Sequence, residues 1–235
     1  MGQHANLRMT WHASLAALPL LVGVATATAA TPDLSGIWEL RYDSRSVPQA
    51  SLTPAARQAA AKHLYNDLDS YRWCRIAGMP VQMDAPQHMV QGKTEIAIVT
   101  PMHAIARHVY IDGRAQVSLD DYDPTTVGNS IGTWDGDTLV VNTIGFSDRG
   151  IVSIPGGGFR TPKSQLVERY RLLDEGKVLS VSFTWTDAAV FARPHSYEFR
   201  YHRAPPGTNI TEWPCEPQDD ERGRFFAPAL ESYKK

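Results

Sequence analysis

The chain has 235 residues, 43% of them hydrophobic and 20% charged, which excludes disordered, collagen-like and coiled-coil chains. Its 23 Lys+Arg against 25 Asp+Glu give a formal charge of −2. No basic surplus exists to neutralise a phosphate backbone, so nucleic acid is not an expected partner.

The first 29 residues read as a leader. Arg8 precedes an apolar run from Leu15 to Val24, followed by small-x-small sites in Ala25–Ala29. This pattern predicts a cleavable signal peptide cut at Ala29/Ala30, since the run is shorter than the ~20 apolar residues of a spanning helix. No Cys precedes the cut to carry a lipid anchor, and no later segment is apolar enough to span a bilayer. The mature chain, 30–235, is expected to be a single secreted or periplasmic domain without a membrane span. Its two cysteines, Cys74 and Cys215, are expected to pair in that oxidising compartment.

Asp33–Leu40 alternates Leu34, Gly36, Trp38 and Leu40 with Ser35, Ile37 and Glu39, which predicts a strand with Trp38 inward. Thr53-Pro54 is a helix start, Thr as N-cap and Pro at the first helical position. It opens a helical insert at about 53–68, with Ala59, Leu64 and Leu68 on one side.

From Met89 the chain reads as strands: Glu95–Thr100, Ala104–Ile111, then Ser130–Trp134 and Asp137–Ile144. The last two form a hairpin on a two-residue Asp135-Gly136 turn of type I′. That register sets Trp134 opposite Asp137 and Asn129 opposite Asn142. Gly156-Gly157-Gly158 is expected to be a flexible loop, a candidate lid. Strands Gln165–Leu173, Lys177–Thr186 and Phe191–Arg203 follow. The order lacks βαβ alternation and any phosphate-binding glycine loop. The expected fold is mainly β, an antiparallel lipocalin-like barrel with an N-terminal helical insert; a β-sandwich is the alternative.

Period-2 alternation sorts side chains by face. Leu179, Val181, Phe183 and Trp185 must point inward. His195 shares a face with Tyr197, Phe199 and Tyr201, and Glu168 with Leu166, Tyr170 and Leu172. In Ala104–Ile111 either Arg107, or His108 with Tyr110, points inward. Burying a lone charge is costly, so inward charges need partners or a wet cavity. Glu168, His195 and Arg107 are therefore candidate catalytic residues: Glu168 or His195 as acid or base, Arg107 to stabilise negative charge. The competing reading is a Glu168–Arg107 pair bracing the barrel, with His195 satisfied by backbone. Trp38, His108, Tyr110, Trp185, Tyr197, Phe199 and Tyr201 are candidate ligand-binding residues.

Other signals point nowhere. His103 and His108 differ by five and fall on opposite strand faces, so no metal site is expected. Asp120, Asp121 and Asp123 lack the rest of a calcium loop. Ser130 lacks a Gly-x-Ser-x-Gly elbow. No cofactor is expected.

Pro124–Phe146, with Gly-Thr-Trp-Asp-Gly-Asp-Thr-Leu-Val-Val inside it, resembles a signature of a large group of uncharacterised secreted bacterial proteins. So do Asp33–Trp38, Cys74 with Gly78–Pro80, Arg107–Arg114, Val167–Arg171 and Cys215-Glu216. The resemblance implies no activity. It marks departures: Gln116 and Val117 where the pattern has His-Pro, Thr126 and Asn129 where it has Trp and His, and Asn142 where it has Asp. Asn129 and Asn142 thus join the candidate ligand-binding residues. The expected partner is a small aromatic or apolar ligand. An enzyme reading makes the chain a cofactor-independent lyase, isomerase or hydrolase; the alternative is a ligand carrier or a structural envelope protein.

Overall fold

The computed structural model describes residues 1–2, 31–41, 43, 45–72, 74, 78–102 and 105–211. The apolar run and cleavage site of the expected leader, His103 and Cys215 lie outside the described residues. In chain order the elements are β1 (Gly36–Leu40), α1 (Pro54–Arg72), β2 (Gln87–Gln91), β3 (Glu95–Val99), β4 (Ala106–Tyr110), β5 (Asn129–Asp135) and β6 (Thr138–Ile144). A short hairpin of β7 (Ser153–Ile154) and β8 (Gly158–Phe159) follows. The last three strands are β9 (Gln165–Leu173), β10 (Val178–Thr186) and β11 (His195–Arg203).

Nine strands close into a barrel in the order β1-β11-β10-β9-β6-β5-β4-β3-β2. Closure removes both sheet edges and excludes the sandwich. The expected lipocalin-like architecture holds, with one difference. β4 and β5 run parallel, paired only at Val109–Ser130 and Tyr110–Ile131. Parallel neighbours need a long crossover, and residues 111–128 supply it without a helix.

Thr53 caps α1 as expected: the Ala56 amide donates to Thr53 Oγ1 at 3.1 Å. The helix runs past the expected end near 68 to Arg72. It packs against β7 and β8. Its Asp67 is buried and accepts from the amides of Val152 (2.9 Å) and Ser153 (2.6 Å). Together α1, a 3₁₀ turn at Val81–Asp84 and the β7–β8 hairpin cap the end of the barrel where β6 stops and β9 begins.

The β5–β6 hairpin corrects the expected register. Its loop is Gly136-Asp137, with Asp135 paired to Thr138, Trp134 to Leu139 and Ile131 to Asn142. Gly136 takes φ 61 while Asp137 keeps an ordinary negative φ, which is the type II′ arrangement and not type I′. Asn129 therefore faces Ile144 across the ladder. The three-glycine segment is the tight turn of β7–β8 and not a free lid. Gly156 has φ 89, and a Cβ there would stand 2.8 Å from the His195 ring.

The barrel interior is filled by its own side chains. Trp38, Trp185, Tyr170, Phe183, Phe199 and Tyr201 are all essentially inaccessible and belong to one core cluster. Phe183 stacks on Tyr197 at 4.9 Å and meets Phe199 edge-on at 5.2 Å. Burying each such ring stabilises by roughly 1.5–3 kcal/mol.

Candidate functional site

The strand-face ambiguity resolves in favour of Arg107. Its side chain points into the barrel and is fully buried, as is Glu168. The guanidinium forks onto both Glu168 oxygens: Nη1 donates to Oε1 at 2.9 Å and Nη2 to Oε2. Nε donates to Ser130 Oγ at 3.0 Å, and Nη2 also donates to Thr143 Oγ1 at 2.8 Å. The Tyr170 hydroxyl donates to Glu168 Oε1 at 2.8 Å. Burial works against the charged form of Arg107, but the Glu168 carboxylate overrides it and holds the guanidinium above its ordinary value. Burial likewise raises the Tyr170 phenol well above its usual range, with Glu168 adding to the effect. Every group of this network therefore has a partner, and the four strands it joins, β4, β5, β6 and β9, include the short parallel seam.

His195 stands apart from that pair. It lies opposite Trp185 at the capped end, where Nε2 is 2.7 Å from the Pro155 carbonyl. Its ring stacks on Phe191 at 5.8 Å. Trp185 Nε1 donates to the Tyr197 hydroxyl at 3.2 Å, the Tyr201 hydroxyl to the Met83 carbonyl at 2.7 Å, and Trp38 Nε1 to the Leu34 carbonyl at 2.9 Å. Tyr197 is raised above the ordinary phenol value by burial. These rings and Phe199 form packed core, with their polar ends satisfied inside the protein.

His108 and Tyr110 point outward, on the opposite face of β4 from Arg107, and cannot share an interior pocket with it. His108 Nδ1 lies 3.3 Å from Glu95 Oε2, and the Arg114 guanidinium lies 3.8 Å from the Tyr110 ring centroid. Asn129 and Asn142 are not cross-strand partners, yet they are brought together on the outer face. Gln116 Nε2 reaches the carbonyls of both, at 3.4 and 3.2 Å. Three departures from the resembled pattern thus meet at one spot.

Two of the concavities among the described residues differ in character. A shallow groove of about 640 Å³ on the outside of β10–β11 is lined by Ser46, Pro48, Ser182, Ser196 and the exposed, mutually paired Glu198 and Arg200. Its walls are mainly serines and a surface ion pair, and it opens broadly to solvent. The second, of about 250 Å³, lies in the cap. Leu64, Pro80, Val81, Ile151, Ile154 and Pro155 supply apolar walls, and Arg45, Asp67, Asp84 and Ser153 supply polar groups. Apolar walls with a few convergent polar groups are the usual make-up of a small-ligand site.

The polar groups of this cleft are held from several elements. Arg45 Nη2 donates to Asp84 Oδ1 at 3.0 Å, the two side chains being 24% and 33% exposed. The Arg45 guanidinium also lies 4.6 Å from the Phe199 ring centroid, so it closes over the aromatic interior. Burial raises the Asp84 carboxyl above its ordinary value, against the pull of Arg45. Behind the wall sits Arg160, 1% exposed. Its guanidinium donates to the carbonyls of Met79 (2.7 Å), Arg149 (3.1 Å), Ile151 (3.3 Å) and Ser147. Burial pushes it down to about 10, with Asp67 and Asp148 opposing. On α1, His63 stacks on Phe159 at 4.0 Å and is lowered by burial.

Arg45, Asp67 and Asp84 escape a reading by strand faces, because none lies on a strand. One signal was present: Asp67 follows Leu64 by three positions, on the helix face that Ala56 and Ala60 extend toward the core. Among the described residues no group of three or more His, Cys, Asp or Glu could hold a metal, and no helix is long and apolar enough to cross a membrane. No family model matches the chain, and no curated protein matches it.

Proposed function

We propose that this chain is a secreted barrel that binds a small molecule at its capped end and not within its bore. One observation carries the reading. The bore is closed by packed aromatic rings and a satisfied ion-pair network, whereas the cap contains an apolar-walled cleft of about 250 Å³ with a half-exposed ion pair on its lining. Such a volume suits a compact ligand with an apolar body.

In this reading the Arg107–Glu168 pair braces the barrel. A carboxylate whose two oxygens are both engaged, in a site without access, has no substrate proton within reach, so the contacts favour bracing over acid–base catalysis. His195 holds the β7–β8 turn through the Pro155 carbonyl. The leader at 1–29 and the Cys74–Cys215 pairing belong to the same proposal: export first, then oxidation.

The test is native mass spectrometry of the mature chain purified from its own source, alongside the variant Ile154→Trp, whose indole fills the cleft. A retained small molecule lost in the variant supports the reading. A ligand retained equally by both proteins would move the site elsewhere. A bare mass in both, with no ligand found by a small-fragment screen, would leave a structural envelope protein as the better account.

A further inference from the structure

The acceptors that line the cap cleft are not alike. Its wall carbonyls are neutral and already engaged. Pro80 accepts from the Met83 amide at 2.9 Å, Ile154 from the Gly157 amide at 3.2 Å and Ile151 from Arg160 Nη2 at 3.3 Å, and the Pro155 oxygen lies 2.7 Å from His195 Nε2. Asp67 differs. It is 2% exposed, yet it belongs to the lining. Oδ1 accepts from the Val152 amide at 2.9 Å and Oδ2 from the Ser153 amide at 2.6 Å, one hydrogen on each oxygen. A carboxylate has about four acceptor positions, so about two remain. Arg160, whose charge acts on Asp67 across the wall, aims its donors at four backbone carbonyls instead. The protein closes Asp67 off from bulk water, so the cleft is where its remaining positions can meet a donor. Leu64, three residues earlier on α1, brings an apolar wall to the same helix face.

We infer that the cleft selects a ligand whose apolar body carries a hydroxyl or N–H group, donated to the Asp67 carboxylate, over a ligand of the same shape that can only accept. The inference rests on the cleft being the ligand site. A ligand that fills the cleft displaces water from Asp67. One that brings a donor replaces the lost hydrogen bond with a charge-assisted one, and its body lies against Leu64, Val81, Ile151 and Ile154. One that brings only a carbonyl sets an oxygen against an oxygen and leaves the carboxylate short of a partner, which is how a buried polar group rejects the wrong analogue. A hydroxyl also accepts, so it can meet a donor across the cleft as well as a carbonyl can. The selection therefore turns on the donated hydrogen alone.

Two probes with one carbon skeleton, 1-phenylethanol and acetophenone, differ by that hydrogen bond donor. Both are titrated calorimetrically into the whole mature protein, into Asp67→Asn and into Ile154→Trp. In the parent protein the alcohol should bind roughly tenfold more tightly than the ketone, the worth of a hydrogen bond to a charged group. Asp67→Asn should bring that ratio toward one, and Ile154→Trp should abolish binding of both. Because Asp67 also tethers the cap, the ratio is read and not either affinity alone; both probes bind the same folded fraction, so loss of fold cancels. Should Asp67→Asn fail to fold, the ratio in the parent decides, and parity there refutes the inference. If the two probes bind equally and Ile154→Trp blocks both, the donor inference fails while the cleft remains the site. A preference for the alcohol that survives in folded Asp67→Asn also overturns it, as does failure of both probes to bind the parent at millimolar concentration. If the alcohol binds and Ile154→Trp leaves it untouched, the inference and the site assignment fall together.

Discussion

Two Arg–carboxylate pairs in this protein have opposite surroundings. Arg107–Glu168 has no exposure and is joined by Ser130, Thr143 and Tyr170. Arg45–Asp84 is 24% and 33% exposed and lies on the lining of a cleft. A fully enclosed pair can exist only if every donor and acceptor is matched, because water cannot make up a deficit. Such a pair fixes geometry and leaves nothing for a ligand. A half-exposed pair trades partners with solvent and so can trade them with a ligand. The interior charges that draw the eye in the sequence are therefore the ones with least freedom to act.

The largest effect should come from breaking the enclosed pair. Glu168→Gln leaves a buried guanidinium uncompensated and should cost roughly 3–5 kcal/mol. For a domain of this size that lowers Tm by about 10 °C or more, read by thermal denaturation. The double replacement Arg107→Met with Glu168→Leu should cost less than the sum of the two single changes, and a strictly additive cycle would refute the coupling.

Next comes the tether of the cap. Asp67→Ala removes the acceptor of the buried Val152 amide and of the part-buried Ser153 amide, a loss of roughly 1–3 kcal/mol. Urea denaturation measures it, and limited proteolysis should cut first within α1. Thr53→Ala, at the other end of the helix, should cost about 1 kcal/mol by removing its cap.

The half-exposed pair should reveal itself through pH more than through stability at one pH. The Asp84 carboxyl is raised above its ordinary 3.8 by burial. A raised carboxyl contributes stability that is complete below the unfolded value and is lost as pH rises through the folded one. Asparagine cannot ionise, so the Tm difference between Asp84→Asn and the parent should move toward the variant as pH rises above about 4, the ordinary carboxyl value. A pH-independent difference would sink that assignment. The smallest effect belongs to the surface pair Arg169–Asp135, 48% and 71% exposed: Asp135→Ala should leave Tm unchanged within error and serves as the control.

Much of the barrel was legible in the sequence because strand faces follow from period 2 alone. Glu168, His195, Trp185, Tyr197, Phe199 and Tyr201 all lie inward as the alternation requires. The Thr53-Pro54 helix start is likewise local chemistry, and it stands where expected. Register was less legible. Asp135-Gly136-Asp137 contains two overlapping pairs of turn residues, and a choice between them moves Asn129 from Asn142 to Ile144. The parallel β4–β5 pair left no trace, since nothing in residues 111–128 states which neighbour the chain will meet when it returns.

What the sequence determined by itself is therefore most of the barrel strands, the buried side of β1, β9, β10 and β11, and the helix start, because these rest on contacts between near neighbours in the chain; the buried face of β4 was settled only by the fold. The tertiary structure alone decided that Arg107 meets Glu168 and His195 does not, that Gln116 gathers Asn129 and Asn142, and that Arg45, Asp67 and Asp84 surround one cleft. Each of these joins segments far apart in sequence. Their meeting depends on barrel closure and on how the cap packs, energies that no local pattern of residues encodes.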